Sequence, residues 1–266
     1  MGETILYKYL DVGGGLMMLY YGTLMFTNAT QLNDPFDCHP VYIDIPQNAI
    51  PQYRGLPSKV VSDLIYNKGL NQRDKAYICS LSKVYDSILI WSYYSKHSGI
   101  CIGLDMENTR KYYNRMIGLI IGCHEYEVQY RDIINGHDAP HDSNDLLCHL
   151  FATKAKEWQH EQEVRLVSYD PWSEYMRLLP GQDDKDGPIP WNTVRAFLDI
   201  GGECFESVYL GVNISEKDKE KVIKVAKKRN PDIKIYQMTI DPIAFRLKEQ
   251  LTGDTMIKYQ TNNDGN

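Results

Sequence analysis

Residues 156–167 read KEWQHEQEVRLV. The second half predicts a β-strand, whose side chains alternate between two faces, so Glu161, Glu163 and Arg165 share one face and Gln162, Val164 and Leu166 the other. Val164 and Leu166 suit a core. The charged row, minus-minus-plus, suits either a solvated edge or a site. Like charges this close raise each other's pKa unless something compensates.

Working outward, NDLLCHLFATKAKEW (144–158) carries Leu147, Leu150, Phe151 and Trp158 at helical intervals and predicts a helix leading into the strand EVRLVSY (163–169). Upstream, ILYKYL (5–10), TLMFTN (23–28), AYICSLS (76–82), GICIGLD (99–105) and YEVQY (126–130) predict strands. VGGGLMMLYYG (12–22) predicts a turn and short helix closed by Gly22, and SKVVSDLIYNKG (58–69) a helix stopped by Gly69. Asp86 is read as the cap of a helix SILIWSYYSKHS that Gly99 ends. Downstream, SVYLGV (207–212), a charged helix capped by Ser215 and IKIYQMT (233–239) form a β-α-β unit. These elements describe an α+β fold with a mixed central sheet and flanking helices. The expected organisation is one domain over 1–250. It divides into a catalytic core to 170, a loop at 171–192 and a β-α-β closure at 205–247, and a disordered tail spans 251–266.

With 266 residues, a net charge of −6 and 43% hydrophobic residues, the chain can bury a sizeable core and offers no broad basic surface for nucleic acid. Twenty tyrosines against six phenylalanines imply many half-buried surfaces, where a ring packs and its hydroxyl stays bonded. The six cysteines lack any C-x-x-C pair, which suggests reduced thiols and a cytoplasmic location. Met1 to Leu10 lacks the layout of a signal peptide and no run is long enough to span a membrane.

Several clusters carry chemistry, each beside a plainer account. Ser80 and Ser82 in YICSLS place two hydroxyls on one side of a strand, as a cleft lining or as ordinary strand-end backbone caps. NDPFDCH (33–39) gathers Asn33, Asp34, Asp37 and His39. A turn initiator with Phe36 plugged into the core explains it better than a metal site, and no metal is expected. In WSYYSKH (91–97), Trp91 and Tyr94 share a face, which either packs inward or presents a ring to a ligand. No P-loop, dinucleotide fingerprint or nucleophile elbow is present.

Taken in order, LYKY, LMFTNATQLNDPFD, ICSLS, LIWSYYSKHSGICIGLD, VQY and the K-x-x-x-W-x-x-E-x-E-x-R run from Lys154 to Arg165 resemble the bacterial domain-of-unknown-function family 2971, over roughly residues 5–247. A second resemblance is to ADP-ribosyltransferases of the arginine–serine–glutamate type. It matches Lys8 in LYKY, Ser80 and Ser82 in YICSLS, and Glu161 with Glu163 in EQE, although Lys8 stands where that family has arginine. The second resemblance implies an ADP-ribosyltransferase-like core with a C-terminal β-α-β extension, and NAD as substrate. Glu163 would bond the ribose and stabilise its oxocarbenium-like state, while Glu161 orients or deprotonates the acceptor. Ser80 and Ser82 would hold Glu163. Trp91 or Tyr94 would stack on nicotinamide, Asn33 and Asp34 would close the rim, and Lys8, Tyr9 and Arg165 would complete the dinucleotide site, with Arg165 alternatively a structural counter-ion.

The implied function is an ADP-ribosyltransferase or NAD glycohydrolase acting as a bacterial toxin or defence effector. It would have a macromolecular acceptor, protein or nucleic acid, and a regulatory protein partner, and no membrane association. Two other readings stay open: a non-catalytic sensor or partner module of a defence system, and a metal-dependent nuclease built on Asp34, Asp37 and the two glutamates.

Overall fold

Strands and helices follow one another irregularly in the computed structural model, which describes residues 5–42, 55–114, 123–132, 143–168, 176–177 and 194–252. In the first half of the chain lie β1 (Ile5–Leu10), α1 (Val12–Tyr21), β2 (Thr23–Asn28), α2 (Ser58–Lys75), β3 (Tyr77–Ser82), α3 (Ile88–Ser95), β4 (Ile100–Asp105) and α4 (Met106–Tyr113). There follow β5 (Cys123–Glu127), β6 (Gln129–Arg131), α5 (Ser143–Ala152), β7 (Thr153–Ala155), β8 (Glu163–Ser168), β9 (Met176–Arg177) and β10 (Arg195–Asp199). The last elements are β11 (Phe205–Leu210), α6 (Glu216–Arg229), β12 (Lys234–Ile240) and β13 (Leu247–Leu251). The fold is α+β with mixed strand pairing. No helix among the described residues is long and apolar enough to cross a membrane.

The chain divides into two compact units: Met1–Leu24, Leu81–Tyr112 and Asp199–Asn266 form the first, Met25–Ser80 and Tyr113–Leu198 the second. This division does not follow position 170, because the first strand and helix belong with the C-terminal β-α-β unit. The expected loop at 171–192 and the tail beyond 252 lie outside the described residues, apart from Met176–Arg177.

In the first unit the strands run β13-β12-β11-β4-β1. β11 and β12, joined through α6, are parallel, and the other pairs are antiparallel. Cross-strand partners share a face, so the row Lys8, Ile102, Val208, Ile235 lies on one side and the row Tyr9, Cys101, Tyr209, Tyr236 on the other. α1 packs against α6, and a Cβ on Gly15 would meet the Ile100 side chain at 2.2 Å. Only glycine lets α1 approach β4 this closely. The opposite face is a cluster of Tyr9, Ile90, Trp91, Cys101, Tyr209, Met238 and Leu247. On it the rings of Tyr85, Tyr209 and Tyr236 stack at 4.5 and 4.9 Å. The surplus of tyrosine is thus partly a packing device.

In the second unit β8 pairs with both β3 and β5, and β2 pairs with β3 and β10. Its core joins Cys38 of the turn after β2 with Val61, Ile65, Ile78, Leu150, Phe151 and Val167, drawn from α2, β3, α5 and β8. Several element boundaries differ from those expected. α2 continues through Gly69 to Lys75, since a buried glycine inside a packed helix is tolerated. Ser87, not Asp86, caps α3, which ends at Lys96 in the left-handed region rather than at Gly99. The helix expected to Trp158 stops at Ala152, where the chain pairs in parallel with β6, Lys154 opposite Tyr130. β13 was not expected.

Candidate functional site

The loop before α2 sets one wall of the site. Asp34 accepts the Phe36 N–H at 2.9 Å and its carbonyl accepts the Asp37 N–H at 3.1 Å, a tight Asx turn that Pro35 stiffens. Asp37 is turned inward at 3% exposure, whereas Phe36 is 62% exposed and does not plug the core as expected. Opposite, a 3-10 helix at Lys156–Glu161 ends with Gln162 in the left-handed region, and β8 starts at Glu163. Glu161 is therefore a turn residue, not a strand neighbour of Glu163. All six residues of β8 are buried. The charged row is no solvated edge.

Arg165, with no exposure, is the hub. Its Nε donates to Glu163 Oε1 at 2.8 Å, and Nη2 to Glu163 Oε2 at 3.0 Å and Asp37 Oδ2 at 2.7 Å. Nη1 donates to Asp37 Oδ1 at 2.7 Å and to the Phe151 carbonyl at 2.9 Å. Every N–H of the guanidinium has a partner, the arrangement that makes a buried arginine tolerable. Lys154, also buried, donates to Glu161 Oε2 at 2.5 Å and to Glu163 Oε2 at 3.2 Å. The cluster thus holds three carboxylates, Asp37, Glu161 and Glu163, against two cations, Lys154 and Arg165.

Electrostatics follow from this count. Burial pushes the Glu163 carboxyl up, but the charges of Arg165 and Lys154, with hydrogen bonds from Arg165 and the Ser80 hydroxyl, outweigh it and bring the pKa down to about 2. The two cations replace the mutual elevation expected for the acidic couple. Burial pulls the Lys154 ammonium down, and the two glutamates more than reverse that. The Tyr130 hydroxyl accepts the Glu163 N–H at 2.7 Å, and burial raises its pKa.

Next to this cluster lies a cavity of about 860 Å³ within the second unit. Asn33, Asp34, Phe36, Asp37, Lys154 and Trp158 are among its lining residues. The indole N–H of Trp158 donates to Asp34 Oδ2 at 2.7 Å. Ser80, Glu161 and Glu163 are not among the described lining residues, but Lys154, which touches both glutamates, is.

Of the residues read from the sequence, Ser80, Asn33, Asp34, Glu161, Glu163 and Arg165 fall in the second unit, and Lys8, Tyr9, Ser82, Trp91 and Tyr94 in the first. Ser80 meets Glu163 through its hydroxyl. Ser82 instead accepts the N–H of Val84 at 3.1 Å, a local turn. Three cofactor assignments need correction. Trp91 is fully buried with its N–H on the Tyr85 carbonyl, and Tyr9 lies edge-on to it with its hydroxyl on the Val84 carbonyl, so both are core. Arg165 has neither surface nor a spare donor for a dinucleotide. Lys8 and Tyr9 also point to opposite faces of β1. Tyr94, 41% exposed, and Lys8, half-buried, remain accessible.

The sequence motifs contain Lys154 and Tyr130 but assigned them no role, and did not show Asp37 as a partner of Arg165. Lys154 opens the K-x-x-x-W-x-x-E-x-E-x-R run, and a cation placed before two glutamates was the available signal. Among the described residues no group of three or more histidine, cysteine, aspartate or glutamate side chains is arranged to hold a metal. No family model, curated protein or solved structure matches the chain.

Proposed function

We propose that the protein consumes NAD, transferring ADP-ribose to a macromolecule or to water, and acts as a bacterial toxin or defence effector. One observation carries the reading: the Ser80 hydroxyl bonds the Glu163 carboxylate on the adjacent strand, and Lys154, which touches that carboxylate, lines a cavity. The resemblance to arginine–serine–glutamate transferases points the same way.

In this reading the bond between nicotinamide and the ribose breaks, its electron pair leaves with the nicotinamide nitrogen, and positive charge spreads over the ribose. Glu163, held ionised by its cations, stabilises that charge. The contact of Lys154 to Glu163, at 3.2 Å, is longer than its 2.5 Å contact to Glu161, and is the one that a ribose hydroxyl would replace. The acceptor or water then bonds the anomeric carbon and yields its proton to Glu161.

A second reading, a non-catalytic module, is favoured by the saturation of Arg165 and the burial of both glutamates, which suit architecture as well as chemistry. NAD labelled in its nicotinamide separates the two. The wild-type protein releases free nicotinamide, and Glu161→Gln and Glu163→Gln lower the rate by about a hundredfold or more at temperatures where each variant is folded. Equal, negligible release by all three proteins refutes the enzyme.

A further inference from the structure

We propose that the cavity of the second unit is a binding site for a small organic cation, an amidinium or ammonium borne on an apolar body. At about 860 Å³ it lies within the usual range of ligand pockets, roughly 300–1,000 Å³. Its charged lining residues are Asp34, Asp37, Asp132 and Glu157 against Arg131 and Lys154, four carboxylates to two cations. Asp37 is engaged by Arg165, and the Lys154 ammonium by Glu161 and Glu163. Asp34, Asp132 and Glu157 then face Arg131, which donates to Gln129 at 2.8 Å. Lys156 reaches Asp132 at 3.0 Å, but both side chains are more than half exposed, so solvent screens that pair. This lining attracts a cation and opposes an anionic group, so of a dinucleotide it suits the cationic nicotinamide ring and not the pyrophosphate.

The aromatic groups point the same way. The Trp158 indole is fixed by its bond to Asp34, and its ring already has the Lys154 ammonium 4.8 Å from its centroid. A ring held in place is a receptor for an organic cation, which here shares the ring with the Lys154 ammonium or displaces it. The exposed Phe36 ring and the buried Leu150 side chain, both on the lining, offer apolar contact for the body that carries the charge. The inference does not rest on NAD turnover, and its test contains no dinucleotide.

That test is calorimetric titration of the full chain at low ionic strength with benzamidine, benzyl alcohol and benzoate, which share a ring and differ in charge. Benzamidine binds saturably and at least about tenfold more tightly than benzyl alcohol, and benzoate shows no saturable heat. Trp158→Leu weakens benzamidine by about tenfold. Glu157→Gln, an exposed position that leaves the fold intact, weakens it about threefold. Equal binding of the three probes, no saturation at millimolar benzamidine, or an unchanged affinity in Glu157→Gln would each overturn the proposal.

Discussion

Arg165 shows why a side chain rather than a charge is what the site requires. Its five N–H groups meet Glu163, Asp37 and the Phe151 carbonyl in a planar fork that an ammonium cannot reproduce. Arg165→Lys keeps the charge but strands part of two buried carboxylates, and we expect a loss of about 3 kcal/mol or more, read from denaturant unfolding. Glu163 adds a pH signature. Its pKa falls from an ordinary 4.5 to about 2 on folding, so its stabilisation is complete above about pH 4.5 and vanishes as the pH falls toward 2. The stability gap between wild type and Glu163→Gln therefore stays constant above about pH 4.5 and narrows below it. A gap independent of pH down to about 2 contradicts the assignment. The presence of charge on the 161–165 segment was legible in the sequence. Its burial was not, because the neutralising partners Asp37 and Lys154 come from a distant loop and from a strand that the helical spacing hid.

At the scale of elements, local signals read well where they were self-contained. α1 was placed from its apolar residues and its closing glycine, and Gly22 indeed sits at φ 68° with its N–H on the Met18 carbonyl. A Cβ there would also approach the Arg229 guanidinium carbon to 2.8 Å. Gly22→Ala is expected to lower stability by at least about 1 kcal/mol, seen as a lower Tm with unchanged circular dichroism at ambient temperature. The region after Ala152 reads poorly from sequence for the opposite reason. Its Leu147, Leu150, Phe151 and Trp158 have helical spacing, yet pairing of Lys154 with Tyr130 overrides that preference and turns the lysine into the carboxylate cluster. A tertiary contact, not local propensity, fixes this conformation.

For the whole molecule, the α+β class followed from the succession of patterns, and the parallel pairing of β11 with β12 from the β-α-β order. The division into two units did not, since it joins Met1–Leu24 to Asp199–Asn266 and separates Ser80 from Ser82, two positions apart. Linear motifs carry no record of which unit a residue joins, and that is why five of the eleven candidate site residues fall in the first unit and six in the second. The account comes down to whether the ionised, serine-bonded carboxylate and its neighbour do chemistry. The most direct measurement is the rate at which wild type and Glu161→Gln liberate nicotinamide from NAD, scaled to the folded fraction of each. The account predicts steady turnover by the former and near-complete loss in a variant that remains folded; no turnover by either, or equal turnover by both, would contradict it.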